Sequence, residues 1–271
     1  MTSPANPSPN PQSYVRPGSE AWSSPGQGDR GKTGILLVHG FTGSPASLRP
    51  LAEMLARRGF AVELLRLPGH GTQIREILPT RYEDWRAAVV AGGRALAART
   101  ERMVIVGLSL GGTLALDVAS SELSPAGVVS INAQILNRDG LAIRLAPLIE
   151  RILPIVPPRL AGLTPNDIAK PDTDEQAYTW VPTAAGNSIV RALSRVRGQL
   201  GKLGCPVLVM YSEHDHSVPP ANSKALLDLI DRKLTQAIVL ERSFHVATLD
   251  YDLELIEDKI ADFADRIAVG N

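Results

Sequence analysis

Ser109, Asp215 and His245 are the side chains of this sequence whose types can combine into a nucleophilic catalyst. A serine hydroxyl attacks poorly until a neutral imidazole takes its proton, and the imidazole needs a carboxylate on its other nitrogen to fix the tautomer and stabilise the cation. Ser109 sits in Gly107-Leu108-Ser109-Leu110-Gly111-Gly112. Small residues two before and two after a serine allow a strand to turn directly into a helix, with the serine at a strained backbone angle. In such a turn the hydroxyl stands clear of the sheet. The Leu110 amide then lies at a helix N-terminus, where partial positive charge favours a developing oxyanion. Phe41, in the glycine-rich loop His39-Gly40-Phe41-Thr42-Gly43, can offer a second amide.

A serine between spaced glycines also arises by chance in a chain with 23 glycines. What decides is whether the surrounding elements bring the three groups together. Residues 34–38 form a continuous apolar run, the pattern of a strand buried on both faces. A helix follows, with Ser44 as N-cap and Pro45 at its first position, running to Gly59, and residues 61–65 form the next strand. Further strands are expected at 103–108, 127–132, 206–211 and 236–240, with helices at 82–98, 110–120, 220–229 and 251–267. Strand–helix alternation of this kind builds a parallel sheet. Ser109, Asp215 and His245 each fall in a loop after a strand, and such loops converge at one end of the sheet.

The alternation stops between 133 and 203, where no strand is expected. Amphipathic helical stretches at 141–153 and 178–196 fill the interval. Insertions between parallel strands commonly sit over the strand C-termini, so this one reads as a cap, with an ordinary helix pair on a sheet face as the alternative. Residues 1–30, rich in proline, serine and glycine, read as disordered or packed on the surface. The α/β core is then 31–132 with 204–271.

Charge excludes several functions. Lysine plus arginine number 28 and aspartate plus glutamate number 28, so no net charge draws the chain to nucleic acid or an anionic membrane. Cys205 is the single cysteine, which rules out an intrachain disulfide and multi-thiolate zinc sites. The N-terminus lacks the pattern of a secretory leader, and no run of about 18 apolar residues is present to span a membrane. A cytoplasmic protein acting on a small uncharged molecule is the expectation. Acyl transfer through a serine needs no cofactor and no metal.

Nearby groups have their own explanations. His39, His70 and Trp85 read as structural, and Asp250 as the N-cap of the last helix. Glu213 competes with Asp215 as the acid, because loop position alone does not separate neighbours. His214 and His216 suggest a metal, but no third ligand stands at a suitable spacing.

From about residue 34 onward the chain resembles the α/β-hydrolases, and within them the bacterial carboxylesterase and monoacylglycerol lipase group. The resemblance lies in His39-Gly40-Phe41-Thr42-Gly43-Ser44-Pro45, Pro68-Gly69-His70-Gly71-Thr72, Asp84-Trp85 and the Ser109 turn. It continues in Asp215 with Val218-Pro219-Pro220, and in Ser243, His245-Val246 and Asp250. It implies Ser109 as nucleophile, Asp215 as acid, His245 as base, and the Phe41 and Leu110 amides as oxyanion hole. The implied substrate is a carboxylic ester with a short or medium acyl chain, or a monoacylglycerol, with peripheral lipid contact through the cap. Ser212 departs from the group, since a glycine is common there. A thioesterase, an acyltransferase, a carbon–carbon bond hydrolase or a catalytically silent binder of an apolar ligand would use the same fold. A dehalogenase is disfavoured, because it needs an aspartate where Ser109 stands.

Overall fold

Runs that are apolar at every position have no face to give to water, so they become strands covered on both sides. A computed structural model of the chain describes residues 14–137 and 149–269. Its strands are β1 (Trp22–Ser24), β2 (Thr33–Val38), β3 (Ala61–Leu64), β4 (Arg102–Leu108), β5 (Gly127–Ile131), β6 (Ile155–Val156), β7 (Val181–Pro182), β8 (Val207–Ser212) and β9 (Thr235–Leu240). Seven of them form one sheet in the order β1-β3-β2-β4-β5-β8-β9. All pairings in it are parallel except β1 with β3.

The helices are α1 (Arg49–Arg57), α2 (Ile74–Ile77), α3 (Tyr82–Ala97), α4 (Leu110–Ala119), α5 (Thr183–Gln199), α6 (Ala221–Leu229) and α7 (Leu253–Val269). Strand side chains alternate between the two faces. Leu36, Val38, Ile105 and Val128 join a core with residues of α3, α4 and α5, while Ile35, Leu37, Val104 and Val106 join a second core with α1 and α7. Each buried aliphatic side chain contributes about 1.5–3 kcal/mol relative to exposure. The expected mostly parallel sheet with helices on both faces is therefore what forms.

Strand order reverses at β2, since β3 lies on one side of it and β4 on the other. The crevice of an open parallel sheet lies at such a switch, beyond the strand C-termini. Here those termini carry the His39–Gly43 loop and Ser109.

Several boundaries differ from expectation. Residues 14–30 supply β1, which pairs antiparallel with β3 from Trp22 opposite Leu64 to Ser24 opposite Val62. Ser44 caps a short 3-10 turn at Pro45–Ser47, its hydroxyl accepting from the Ala46 amide, and α1 starts only at Arg49. The interval 133–203 was expected to hold no strand, yet β6 and β7 pair in it, and the helix expected from 178 starts at 183 behind β7. Two-residue strands have too little length to show a period. Residues 149–152 are helical. The rest of the helix expected at 141–153, and residues 1–13 of the N-terminal segment, lie outside the described residues.

The insertion is tied to the core at named points. Buried Asp117 of α4 accepts from Arg195 Nη1 of α5 at 2.9 Å and from the Tyr82 hydroxyl at 2.9 Å. The Tyr82 amide of α3 donates to Ser188 Oγ of α5 at 2.9 Å, and within the insertion Arg197 Nη1 donates to the Ile135 carbonyl at 2.8 Å, close behind β5.

Candidate active site

Ser109 has φ 56° and ψ −119°, a region L-residues avoid and one that costs on the order of 1–3 kcal/mol. Its flanking glycines are required by space. A Cβ on Gly107 would lie 2.1 Å from the Gly111 carbonyl oxygen, and a Cβ on Gly111 would lie 1.9 Å from the Val38 carbonyl oxygen. The Ser109 amide donates to the Ile131 carbonyl at 2.8 Å, locking the turn to β5. Gly40 passes close above, since a Cβ there would sit 3.3 Å from Ser109 Cβ and 3.8 Å from Oγ. The peptide leading into Phe41 therefore runs beside the hydroxyl. Thr42, in the loop after β2, and Asn132, directly after β5, also have left-handed φ, 64° and 47°.

Asp215 and His245 meet through Oδ2 and Nδ1 at 2.7 Å. The other carboxylate oxygen accepts from the Ser217 amide at 2.8 Å and the Val218 amide at 2.6 Å, so the acid is held on both sides. Glu213 and His214 are exposed, which separates Asp215 from its neighbour. Burial lowers the His245 pKa, but the charge of Asp215 and the bond to it outweigh this, with Glu175 and Asp167 adding to the rise; the net pKa lies above the usual histidine value.

Ser109, Leu110, Phe41 and His245 line one pocket of about 220 Å³, which also carries Glu175. A second, more apolar cavity of about 240 Å³ adjoins it, with Phe41, Gln134, Leu163 and Ile189 on both walls. Residues of the 133–203 interval, among them Leu153, Val156, Leu160 and Val190, form most of its lining. Glu175 is half-buried, and desolvation pushes its carboxyl pKa up against the opposing charge of His245; Asp174 and Asp167 raise it further.

His39 and His70 are fully buried and do not line the pocket that holds Ser109. His39 donates from Nδ1 to the Gly40 carbonyl at 2.9 Å and accepts at Nε2 from the Leu67 amide at 3.1 Å. Burial lowers its pKa to about 4, with Arg66 acting the same way and the Gly40 bond opposing. His70 is fully buried against His39, Phe41 and Trp85, and burial likewise takes its pKa well below the usual value. Trp85 is buried and donates to the Pro68 carbonyl at 3.0 Å. His216 is engaged by Asp167, whose Oδ1 lies 2.7 Å from its Nδ1.

Asp250 was expected to cap the last helix. Its carboxylate instead accepts four backbone amides, from Ala169, Lys170, Phe244 and Tyr251 at 2.7, 3.0, 2.9 and 2.8 Å. It thereby joins the insertion to the His245 loop. Glu175, Asp167 and Asn132 went unmarked in the sequence, because Glu175 sits within the polar run 172–176, Asp167 follows Asn166, and Asn132 directly follows an apolar strand, none of them in a motif.

Comparison with known proteins agrees with this architecture. A model of the "Alpha/beta hydrolase family" matches residues 35–258. The thermostable monoacylglycerol lipase of Bacillus sp. (strain H-257) is 37% identical over 241 residues, covering 89% of this chain and 94% of that protein. The carboxylesterase of Bacillus subtilis (strain 168) is 24% identical over 240 residues, covering 88% and 94%. A solved structure from the pair LipS and LipT, two metagenome-derived lipolytic enzymes, superposes with a TM-score of 0.85 at 33% identity, covering 93% of this chain and all (100%) of that one. With the glycine-flanked serine at a sheet switch point and a family match across most of its length, the chain belongs to the alpha/beta hydrolase family.

Proposed function

We propose that this protein hydrolyses carboxylic esters with short or medium acyl chains through an acyl-enzyme on Ser109. The observation that carries the reading is the Asp215–His245 contact at 2.7 Å behind the pocket that Ser109 lines. With Nδ1 occupied by Asp215, the imidazole has Nε2 to accept the Ser109 proton. Oγ attacks the ester carbonyl carbon, and the carbonyl oxygen gains charge beside the Leu110 and Phe41 amides. Nε2–H then gives its proton to the leaving alkoxide as the carbon–oxygen bond breaks. Water attacks the acyl-enzyme with the same base, and the acid leaves as Ser109 regains its proton.

The acyl chain is assigned to the apolar cavity under the insertion, which serves as a cap. The alcohol is assigned to the pocket beside Glu175 and Asn166. Monoacylglycerol is the narrower substrate proposed, supported by the 37%-identical relative that is a monoacylglycerol lipase. Among the described residues no helix is long and apolar enough to cross a membrane. Ile152 and Leu160, 68% and 70% exposed on the insertion, are the side chains we assign to lipid contact.

Purified protein is expected to release p-nitrophenol from butyrate and octanoate esters, and a fluorophosphonate is expected to label Ser109. Ser109→Ala should lose both. Full turnover in that variant would overturn the mechanism, and preference for other esters over monoacylglycerol would overturn the narrower assignment.

A further inference from the structure

Asn132 follows β5, the strand between β4, which delivers Ser109, and β8, which leads to Asp215. Its amide donates to the Met210 carbonyl at 3.0 Å, one residue after Ile131 has accepted from Ser109. The side chain reaches further. Oδ1 accepts from the Ser212 amide at 2.8 Å, while Nδ2 donates to the His245 carbonyl at 2.8 Å and to Ser212 Oγ at 3.2 Å. The Ser212 hydroxyl in turn donates to the Phe244 carbonyl at 2.8 Å. Turning the amide over would set NH₂ against the Ser212 N–H and oxygen against the His245 carbonyl, so its orientation is fixed.

We propose that Asn132, working through Ser212, is a positioning residue that sets the His245 loop against the Ser109 turn. Two requirements coincide at this position. The backbone is left-handed, with φ 47°, which glycine, asparagine and aspartate adopt most readily. The buried side chain must also accept from one peptide and donate to another. Glycine meets only the first requirement, and ionised aspartate has no hydrogen to give. Asparagine meets both.

The His245 loop is then held at three consecutive residues. The Phe244 amide donates to Asp250 at 2.9 Å, the His245 carbonyl accepts from Asn132, and the Val246 amide donates to the Asp167 carbonyl at 3.0 Å. Of these tethers, Asn132 comes directly after the strand that pairs with β4, whose end carries the nucleophile, so it relates ring to hydroxyl. Ser212 supplies the hydroxyl that donates to the Phe244 carbonyl, and Asn132 Nδ2 approaches the same oxygen at 3.4 Å.

The inference rests on the hydrolase reading above, and the test separates the two. Wild type, Ser109→Ala, Asn132→Gly, Asn132→Asp and Ser212→Ala are compared on p-nitrophenyl butyrate, with a fluorophosphonate counting competent sites. Misplacing a catalytic group by about 1 Å costs up to about 100-fold. Asn132→Gly is expected to lower kcat by about 10- to 100-fold with KM within about twofold, to label the same fraction of molecules at saturation, and to label them more slowly. Asn132→Asp should fall with Asn132→Gly, and Ser212→Ala should lie between them and wild type. Wild-type kcat in both Asn132 variants overturns the proposal, as does a labelled fraction that drops in step with activity, which marks a merely structural role. If Asn132→Gly does not fold, the aspartate and Ser212 variants decide by the same readouts. An inert wild type overturns the hydrolase reading and this one together; a wild type silenced by Ser109→Ala upholds the former whatever Asn132 does.

Discussion

Asp215 presents one carboxylate oxygen to His245 and the other to the amides of Ser217 and Val218, so the acid cannot turn without breaking three hydrogen bonds. The negative charge this fixes behind the imidazole favours its protonated form, and Glu175 and Asp167 act in the same direction, against burial.

That charge balance predicts a pH profile. A general base works only when neutral, and the His245 pKa is raised, so kcat/KM is expected to fall on acidification with an apparent pKa above the usual histidine value of about 6.5. Glu175→Gln removes one of the charges responsible and should move the acid limb to lower pH. Initial rates on p-nitrophenyl butyrate across the acidic and neutral range test both. A wild-type limb at or below the usual value would contradict the assignment of His245 as base.

Gly111→Ala tests the turn at Ser109. Its methyl would lie 1.9 Å from the Val38 carbonyl oxygen, and the obstacle is backbone rather than a movable side-chain tip. Either β2 shifts or the turn opens. A loss of about 3 kcal/mol or more in urea unfolding is expected, with activity falling beyond what the folded fraction explains. Stability and turnover close to wild type would show that the glycine is not required.

The Ser109 turn was legible in the sequence because its geometry restricts which residues fit. Gly107 and Gly111 mark a crossing where no Cβ has room. Asp215 and His245 were legible as loop residues after apolar strands, but loop position did not say which of Glu213 and Asp215 reaches His245; in the fold it is Asp215. Asp250 was misjudged because position before a helix suggests a cap, whereas its acceptors serve amides some 80 residues away in the insertion. Asp167 with His216, and Asn132 with His245, leave no local trace either, since side chains that meet across loops have no period. Strand β1, three residues reading Trp-Ser-Ser, is held by its pairing with β3 more than by its own pattern.

Stability should decline in acid for a reason separate from catalysis. His39 stays neutral in the fold down to about 4, because burial disfavours its charged form. In the unfolded chain it takes up a proton as pH falls below about 6.5, so the unfolded state binds more protons between those values. The contribution is fully present above about 6.5 and is lost as pH falls towards about 4, an effect of about 3 kcal/mol. His70, also shifted down by burial, adds in the same direction. Urea midpoints measured across this window should drop, and His39→Gln should flatten the slope. An unchanged slope in that variant would remove His39 from the account.

Asp250 makes a prediction about the insertion itself. Its buried carboxylate gathers amides from residues 169–170, from Phe244 and from Tyr251, so one side chain sets the insertion against the loop carrying His245. Asp250→Asn replaces one acceptor oxygen by NH₂ that must face N–H donors, at a cost on the order of 3 kcal/mol. The damage should be local before it is global, because α5 has separate anchors to the core through Arg195 to Asp117 and through Ser188 to the Tyr82 amide. Thermolysin is therefore expected to cut first between β6 and β7, while the rest of the chain stays intact, and KM for octanoate esters should rise more than for butyrate as the wall of the apolar cavity loosens. Cleavage sites and rates matching wild type, with both KM values unmoved, would mean that the insertion is held in place without Asp250.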